Sequence, residues 1–254
     1  MLDKQITKVY NLLVRYRKGV EKMKVDRRKK YLMVLDVETT NNNMEKGAKN
    51  DGLVYDIGFV ICDKKGNIYA KRSFAISEIF DWSELMSTAY YFKKLPKYYE
   101  KLENKKMEKV TIWEARKRII KAMEYFGITE VYAYNANFDY TTLNNTVRFL
   151  SGSACRWFFP FGTQICDIWH IACQTLCQQK TFQWESVRNS KGNVITNAER
   201  VFGYCEQIDF QEEHTGLADA IVESQILARC FSLHKKIDKK INRAFWRLCQ
   251  QQVA

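Results

Sequence analysis

Asp36 and Glu38 lie two residues apart at the end of the apolar run Tyr31-Leu32-Met33-Val34-Leu35. Residues so spaced in an extended strand point to one face, so both carboxylates project together from the strand's end. Two such charges repel unless neutralised, and Mg2+ or Mn2+ would neutralise them, being hard cations that prefer carboxylate oxygens. A solvated strand end carries the same Asp-x-Glu pattern, and the pair by itself does not separate the two readings. In Tyr134-Asn135-Ala136-Asn137-Phe138-Asp139 a strand gives way to a helix whose opening carries Asp139. That Asp is either a third site carboxylate or a partner for the helix dipole. Asn135 and Asn137 either donate hydrogen bonds to a substrate or shape the turn. The third piece is His214-Thr215-Gly216-Leu217-Ala218-Asp219-Ala220, with His214 at the entrance of a long helix and Asp219 inside its early turns. A lone histidine is commonly structural or exposed. Here it lies five residues from a carboxylate that interrupts an apolar helix face, which also suits it to proton transfer.

Together the three pieces resemble the DEDDh branch of the DnaQ-like exonuclease superfamily, through Asp36-Val37-Glu38-Thr39-Thr40, Asn135 to Asp139, and His214 to Asp219. Tyr55-Asp56-Ile57-Gly58-Phe59-Val60 is similar to that family's second strand, and Ile165-Cys166-Asp167-Ile168 to its stretch before a mid-domain helix. The likeness covers roughly residues 31 to 233, and stretches around Tyr132 to Leu150 and Glu213 to Leu227 are similar to stand-alone bacteriophage exonucleases. The resemblance implies a ribonuclease H-like fold and a 3'-to-5' exonuclease. Such an enzyme frees nucleoside 5'-monophosphates from single-stranded ends by a two-metal mechanism, with DNA favoured over RNA. It implies that Asp36, Glu38 and Asp219 hold one Mg2+ or Mn2+ and that Asp36, supported by Asp139, helps hold a second. His214 would be the general base, while Thr39, Thr40 and Phe138 would line the pocket for the terminal nucleotide. Two positions depart from the family pattern: Asn41 stands where Gly is frequent, and Gly216 where Ala is common. A processing or degradative exoribonuclease would use the same residues, the 2'-OH contact being invisible here. A catalytically idle nucleic-acid-binding module would be expected to lack a ligand, and none is missing.

The elements that must position these residues follow from periodicity. The run 31 to 35 has the composition of a strand buried on both faces. Leu53 to Cys62 and Asn67 to Ile76 read as strands of a hairpin closed by Asp63-Lys64-Lys65-Gly66, after a polar loop from Asn41 to Gly52. Residues 77 to 126 read as mostly helical, most clearly from the N-cap Thr111 to Gly127. Val131 to Tyr134 reads as a strand, and helices are expected from Asp139 to Leu150, Ile165 to Cys177, Asn197 to Phe202 and Thr215 to His234. The sum is an α/β fold: a mixed sheet, with an antiparallel three-strand meander plus parallel strands, flanked by helices.

Three segments are expected: a basic amphipathic helix over 1–30, an exonuclease domain over 31–233, and a basic helix over 234–254 with the apolar stripe Ile237, Ile241, Phe245 and Leu248. Residues 1–30 hold eleven Lys or Arg against three acids, net +8, and residues 234–254 hold six against one, net +5, out of +12 for the chain. The middle is therefore near neutral, and the basic ends are either solvated faces or phosphate-tracking surfaces for single-stranded DNA or RNA. Which polymerase or replication partner such an enzyme would serve is not encoded in these motifs.

Eight cysteines without a secreted framework, and a start at Met1-Leu2-Asp3-Lys4 without an apolar leader, predict reduced thiols in a cytoplasm, the host's if phage-encoded. No apolar run is long enough to span a membrane. Cys166, His170, Cys173 and Cys177 share one helical face by spacing; stacked along a straight helix they cannot surround an ion, so they read as core thiols rather than zinc ligands. The aromatic group Trp157-Phe158-Phe159-Phe161 reads as core packing or a loop anchor in preference to base stacking.

Overall fold

In the computed structural model, which describes residues 25–40, 52–239 and 245–249, a six-stranded sheet has the order β4-β3-β2-β1-β5-β6. Its strands are β1 Tyr31–Thr39, β2 Val54–Asp63, β3 Ile68–Ile76, β4 Glu108–Val110, β5 Glu130–Ala133 and β6 Gln164–Asp167. β1, β2 and β3 form the antiparallel meander, and β4, β5 and β6 each join a neighbour in parallel. The β2–β3 turn closes because the Asp63 carboxylate accepts from the backbone N–H groups of Lys65 and Asn67. Gly66, at φ +81, supplies the left-handed step.

The helices are α1 Ser77–Phe80, α2 Ser83–Met86, α3 Leu95–Glu103, α4 Ile112–Phe126, α5 Ala136–Ser151, α6 Ile168–Gln174, α7 Lys180–Glu185, α8 Ala198–Glu206 and α9 Gly216–Ser232. α4 is bounded as its sequence predicts: the Thr111 side chain accepts from Glu114 N–H, and Gly127 is left-handed at φ 64. Alternation along β1 divides the core. Tyr31, Met33, Leu35 and Val37 pack with Ile119 and Met123 of α4 and Leu143 and Val147 of α5. Leu32 and Val34 face the opposite layer, with Ile171 of α6, Val201 of α8, and Ile226 and Leu227 of α9. Asp36 and Glu38 continue the second row, so the strand points its last two even-numbered side chains at α9.

Several expectations change. Residues 164–167 are a strand, so the expected helix from Ile165 begins only at Ile168, and Cys166 does not share a helix with Cys173 and Cys177. β4 is a three-residue edge strand inside the stretch expected to be mostly helical. Phe158 and Phe159 are buried in the first core layer, whereas Trp157 and Phe161 are exposed, Trp157 lying under the Arg148 guanidinium at 4.3 Å. The basic helix expected over 1–30 lies mostly outside the described residues; its last part, 25–30, is a turn leading into β1. The polar loop containing Asn41 also lies outside them. At the other end, 234–239 is irregular and Phe245–Cys249 is a 3-10 turn, so the described part of the expected C-terminal helix is not an α-helix. There Ile237, Trp246 and Leu248 rest on the second core layer, and Lys239 pairs with Glu130 at 3.0 Å; core contact and ion pairing dictate the path, not helical periodicity. Among the described residues no helix is long and apolar enough to cross a membrane.

Candidate active site

The ends of β1 and β5 and the first turns of α5 and α9 meet at one place. Asp36 is half-buried and Glu38 buried at the close of β1, next to a register shift between Glu38 and Thr39. Asp139 stands in the first turn of α5, buried, and its Oδ1 accepts from Val37 N–H at 3.2 Å, tying that helix to β1. Asp219 projects, buried, from the first turn of α9. Ligand atoms of Glu38, His214 and Asp219 lie within 4.8 Å of one another.

α9 approaches the sheet so closely because no side chain intervenes. A Cβ on Gly216 would meet Gly58 N at 2.6 Å and Asp36 O at 2.8 Å, and a Cβ on Gly58 would meet the Gly216 carbonyl carbon at 1.9 Å. Gly216, a departure from the family pattern, is therefore required by this packing. Asp56 completes the joint: its Oδ2 accepts from Gly216 N–H and from the Tyr98 hydroxyl, both at 2.9 Å.

The electrostatics are those of crowded anions. Burial, then the fields of Glu223, Asp139, Asp219 and Glu38, holds the Asp36 carboxyl well above the usual carboxylate range. Burial likewise raises Asp139. Glu38 is pushed up to about 9 by burial and then by Asp56 and Asp219, and Asp219 to about 8 by burial and then by Glu212. Among the described residues no Lys or Arg forms an ion pair with any of these four, and Asp219 Oδ1 is buried without a hydrogen-bond partner. An unpartnered buried carboxylate oxygen among unneutralised acids is the environment a divalent cation fits.

His214 is half-buried with a left-handed backbone at φ 51. Its ring stacks on Tyr91 with centroids 4.3 Å apart and planes 12° from parallel. Its Nδ1 lies 3.8 Å from Glu212 and its Nε2 4.0 Å from Glu199. Burial, then Lys94, lowers its pKa, which keeps the imidazole neutral near pH 7. The segment between β3 and β4 grips this loop from one side. Lys94 Nζ donates to Glu213 O at 2.8 Å, and Lys101 Nζ reaches Glu213 Oε1 at 2.7 Å and Thr215 Oγ1 at 2.8 Å.

The expected pocket-lining residues are less uniform. Asn135, left-handed at φ 63, and Asn137 are exposed at the start of α5, Phe138 is half-buried against the first core layer, and Thr39 is half-buried. Thr40 is buried and its Oγ1 bonds the Leu53 backbone N–H and carbonyl, so it shapes the exit of β1. Two acids join the site without having been anticipated. Glu223, one turn beyond Asp219 on α9, is buried, and its Oε2 accepts from Tyr134 N–H at 3.2 Å. Its spacing of four from Asp219, among Ala220, Ile226 and Leu227, was the available signal. Asp167 accepts from the N–H groups of Asn135, Trp169 and His170, capping α6 while holding the turn before α5.

No protein-family model and no curated protein sequence matches this chain. Solved structures do. The nuclease domain of 3'hExo, a DEDDh family member bound to rAMP, superposes with a TM-score of 0.57 at 14% identity, over 85% of this chain and 100% of that one. A full-length 3'-exonuclease gives 0.56 at 12% identity over 80% and 82%. Exonuclease I of E. coli in complex with a dA16 oligonucleotide gives 0.51 at 12% identity, over 80% of this chain but only 41% of that one. At these identities the likeness is one of fold: the chain has the mixed-sheet, ribonuclease H-like architecture of DEDDh exonucleases.

Proposed function

We propose that this chain is a metal-dependent 3'-to-5' exonuclease that hydrolyses phosphodiester bonds at single-stranded nucleic acid ends, DNA before RNA, and releases nucleoside 5'-monophosphates. The observation that carries the reading is the convergence of four carboxylates and His214 on one end of β1, in the fold of DEDDh exonucleases. Asp36, Glu38 and Asp219 would hold one Mg2+ or Mn2+, and Asp36 with Asp139 the other. When bound, such ions supply Lewis-acid stabilisation of charge developing on the scissile phosphate. His214, neutral and held flat by Tyr91, accepts the proton of the attacking water. Glu212, facing Nδ1, steadies the imidazolium that results. Thr39, Asn135, Asn137 and Phe138 contact the terminal nucleotide at the mouth. The basic ends hold the polyanion near this near-neutral body; Lys30 and Lys239 both close on Glu130, so the two ends meet the domain together.

The test is digestion of matched DNA and RNA oligomers, labelled at either end, with Mg2+ or Mn2+ and with chelator. Mononucleotides should leave from the 3' end only with metal, and His214→Ala should be slower by about 10²–10⁴-fold. Intact strands under every condition, or a His214→Ala variant equal to wild type, overturns the reading. The rAMP held by 3'hExo favours RNA as a second substrate, and faster RNA than DNA turnover would reverse the stated preference. Removing residues 1–30 should weaken binding and flatten its salt dependence, and an unchanged salt slope would discard the role given to the basic end.

A further inference from the structure

The acidic site leaves a second set of ligands unused. Cys173 lies in the last turn of α6 and Cys177 in the 3-10 turn Leu176–Gln178 that follows it. At Thr175, φ −123 and ψ −83 end the helix, so the two thiols do not stack along one straight axis. A third thiol arrives from far along the chain: Cys249, in the turn Phe245–Cys249, sets its Sγ 3.5 Å from the Cys173 carbonyl. The three Sγ atoms lie within 4.8 Å of one another, all three residues are buried, and none is in a disulfide. Side-chain hydrogen bonds link the three thiols to one another, and Cys173 is also bonded to Thr196. The objection that a single helix face cannot surround an ion does not apply to thiols brought in from two directions.

We propose that Cys173, Cys177 and Cys249 form a thiolate site for one thiophilic d10 cation, zinc or copper(I), which fastens the C-terminal segment to α6. Three converging sulfurs select soft cations over Mg2+, copper(I) being content with three thiolates and zinc adding one further donor. A divalent ion with three thiolates leaves one net negative charge, and Lys235 Nζ lies 3.5 Å from the carbonyl of Thr175, a residue between Cys173 and Cys177 in the chain. Binding releases to solvent whatever protons the three sulfurs still carry and changes no oxidation state. Burial of the three sulfurs makes exchange slow, which fits a fastening role and not catalysis. Three core thiols with no ion are the competing description, and the two differ in a measurable stoichiometry.

The experiment uses the full chain, purified reduced and without chelator, exchanged into excess Mg2+, and assayed by elemental mass spectrometry. About one equivalent of zinc or copper per chain is expected, kept by Asp219→Asn and by Cys155→Ser, and falling to about a tenth in Cys173→Ser/Cys249→Ser. Cobalt reconstitution of wild type and of Asp219→Asn should give a thiolate-to-metal charge-transfer band, so the site can be judged even if the double variant fails to fold. Wild type that takes up no zinc, copper(I) or cobalt under reducing conditions overturns the proposal. So does an equivalent that Asp219→Asn loses and the cysteine double variant keeps. Neither result depends on whether the chain cleaves nucleic acid.

Discussion

Two clusters of ligand-bearing side chains occupy the same side of the sheet and differ in almost every physical respect. At the close of β1 the donors are oxygen, burial and crowding keep Glu38 and Asp219 protonated until a cation or high pH displaces the proton, and Asp36 and His214 are half-buried. Under α6 the donors are sulfur and closed off from solvent. Partial exposure among crowded acids suits ions that come and go with a substrate, and closure suits an ion that stays. The carboxylate cluster raises the energy of the fold unless filled. The thiol cluster packs acceptably either way.

The largest effect that would separate them is on turnover. If Asp219 holds an ion as proposed, Asp219→Asn removes several kcal/mol of transition-state stabilisation, so activity should fall by about a thousandfold while the proposed thiol site keeps its metal. An Asp219→Asn enzyme within tenfold of wild type would remove Asp219 from the site. Next is the response to pH. Glu38 and Asp219, at about 9 and about 8, keep protons in the native state that the unfolded chain sheds near pH 4. Across that window the native state binds more protons, so stability of the metal-free protein falls as pH rises from about 4 to 9. Mg2+ at about a hundred times its dissociation constant should restore about 2.7 kcal/mol at pH 8. Thermal melts at pH 5 and 8, with and without Mg2+, check this; a metal-free melt that improves towards pH 8 contradicts it. Gly216→Ala should cost about 1–3 kcal/mol, since a methyl group there meets backbone and not a yielding side chain. Chemical denaturation measures the loss, and an unchanged midpoint would show that α9 can shift. The smallest effect is at His214, the proposed base. Tyr91→Ala should lower kcat about tenfold with KM nearly unchanged, through a misplaced His214, and Tyr91→Phe should recover it. Failure of Phe to recover it would assign the role to the hydroxyl instead of the stack.

Much of the carboxylate site was legible in the sequence because its parts are locally encoded. Spacing of two on a strand places Asp36 with Glu38, and a strand-to-helix switch places Asp139. What escaped depends on contacts between distant segments or on elements too short to show a period. Tyr91 meets His214 only because the β3–β4 connection folds back over α9. Glu223 becomes part of the site through β5, where its partner is a backbone N–H. β4 and β6, of three and four residues, are too brief to display alternation, and β6 runs straight into α6. The stripe from Ile237 to Leu248 has a helical period, yet Ile237 and Leu248 reach the core from irregular and 3-10 backbone. The reading of Cys173 and Cys177 as core thiols holds, but Cys249, 76 residues from Cys173, could not be grouped with them from local spacing.

The contact between Gly58 and Gly216 bears on how such a site survives divergence. Where two backbones touch directly, the separation between the strand's carboxylates and the helix's is set by the radii of main-chain atoms, which no substitution elsewhere can alter. Core residues on either layer are free to drift as long as they fill the same volume, and the spacing of the acids drifts with none of them. In this chain that spacing rests on the lack of a side chain at Gly58 and Gly216: a methyl group gained at either would press strand and helix apart.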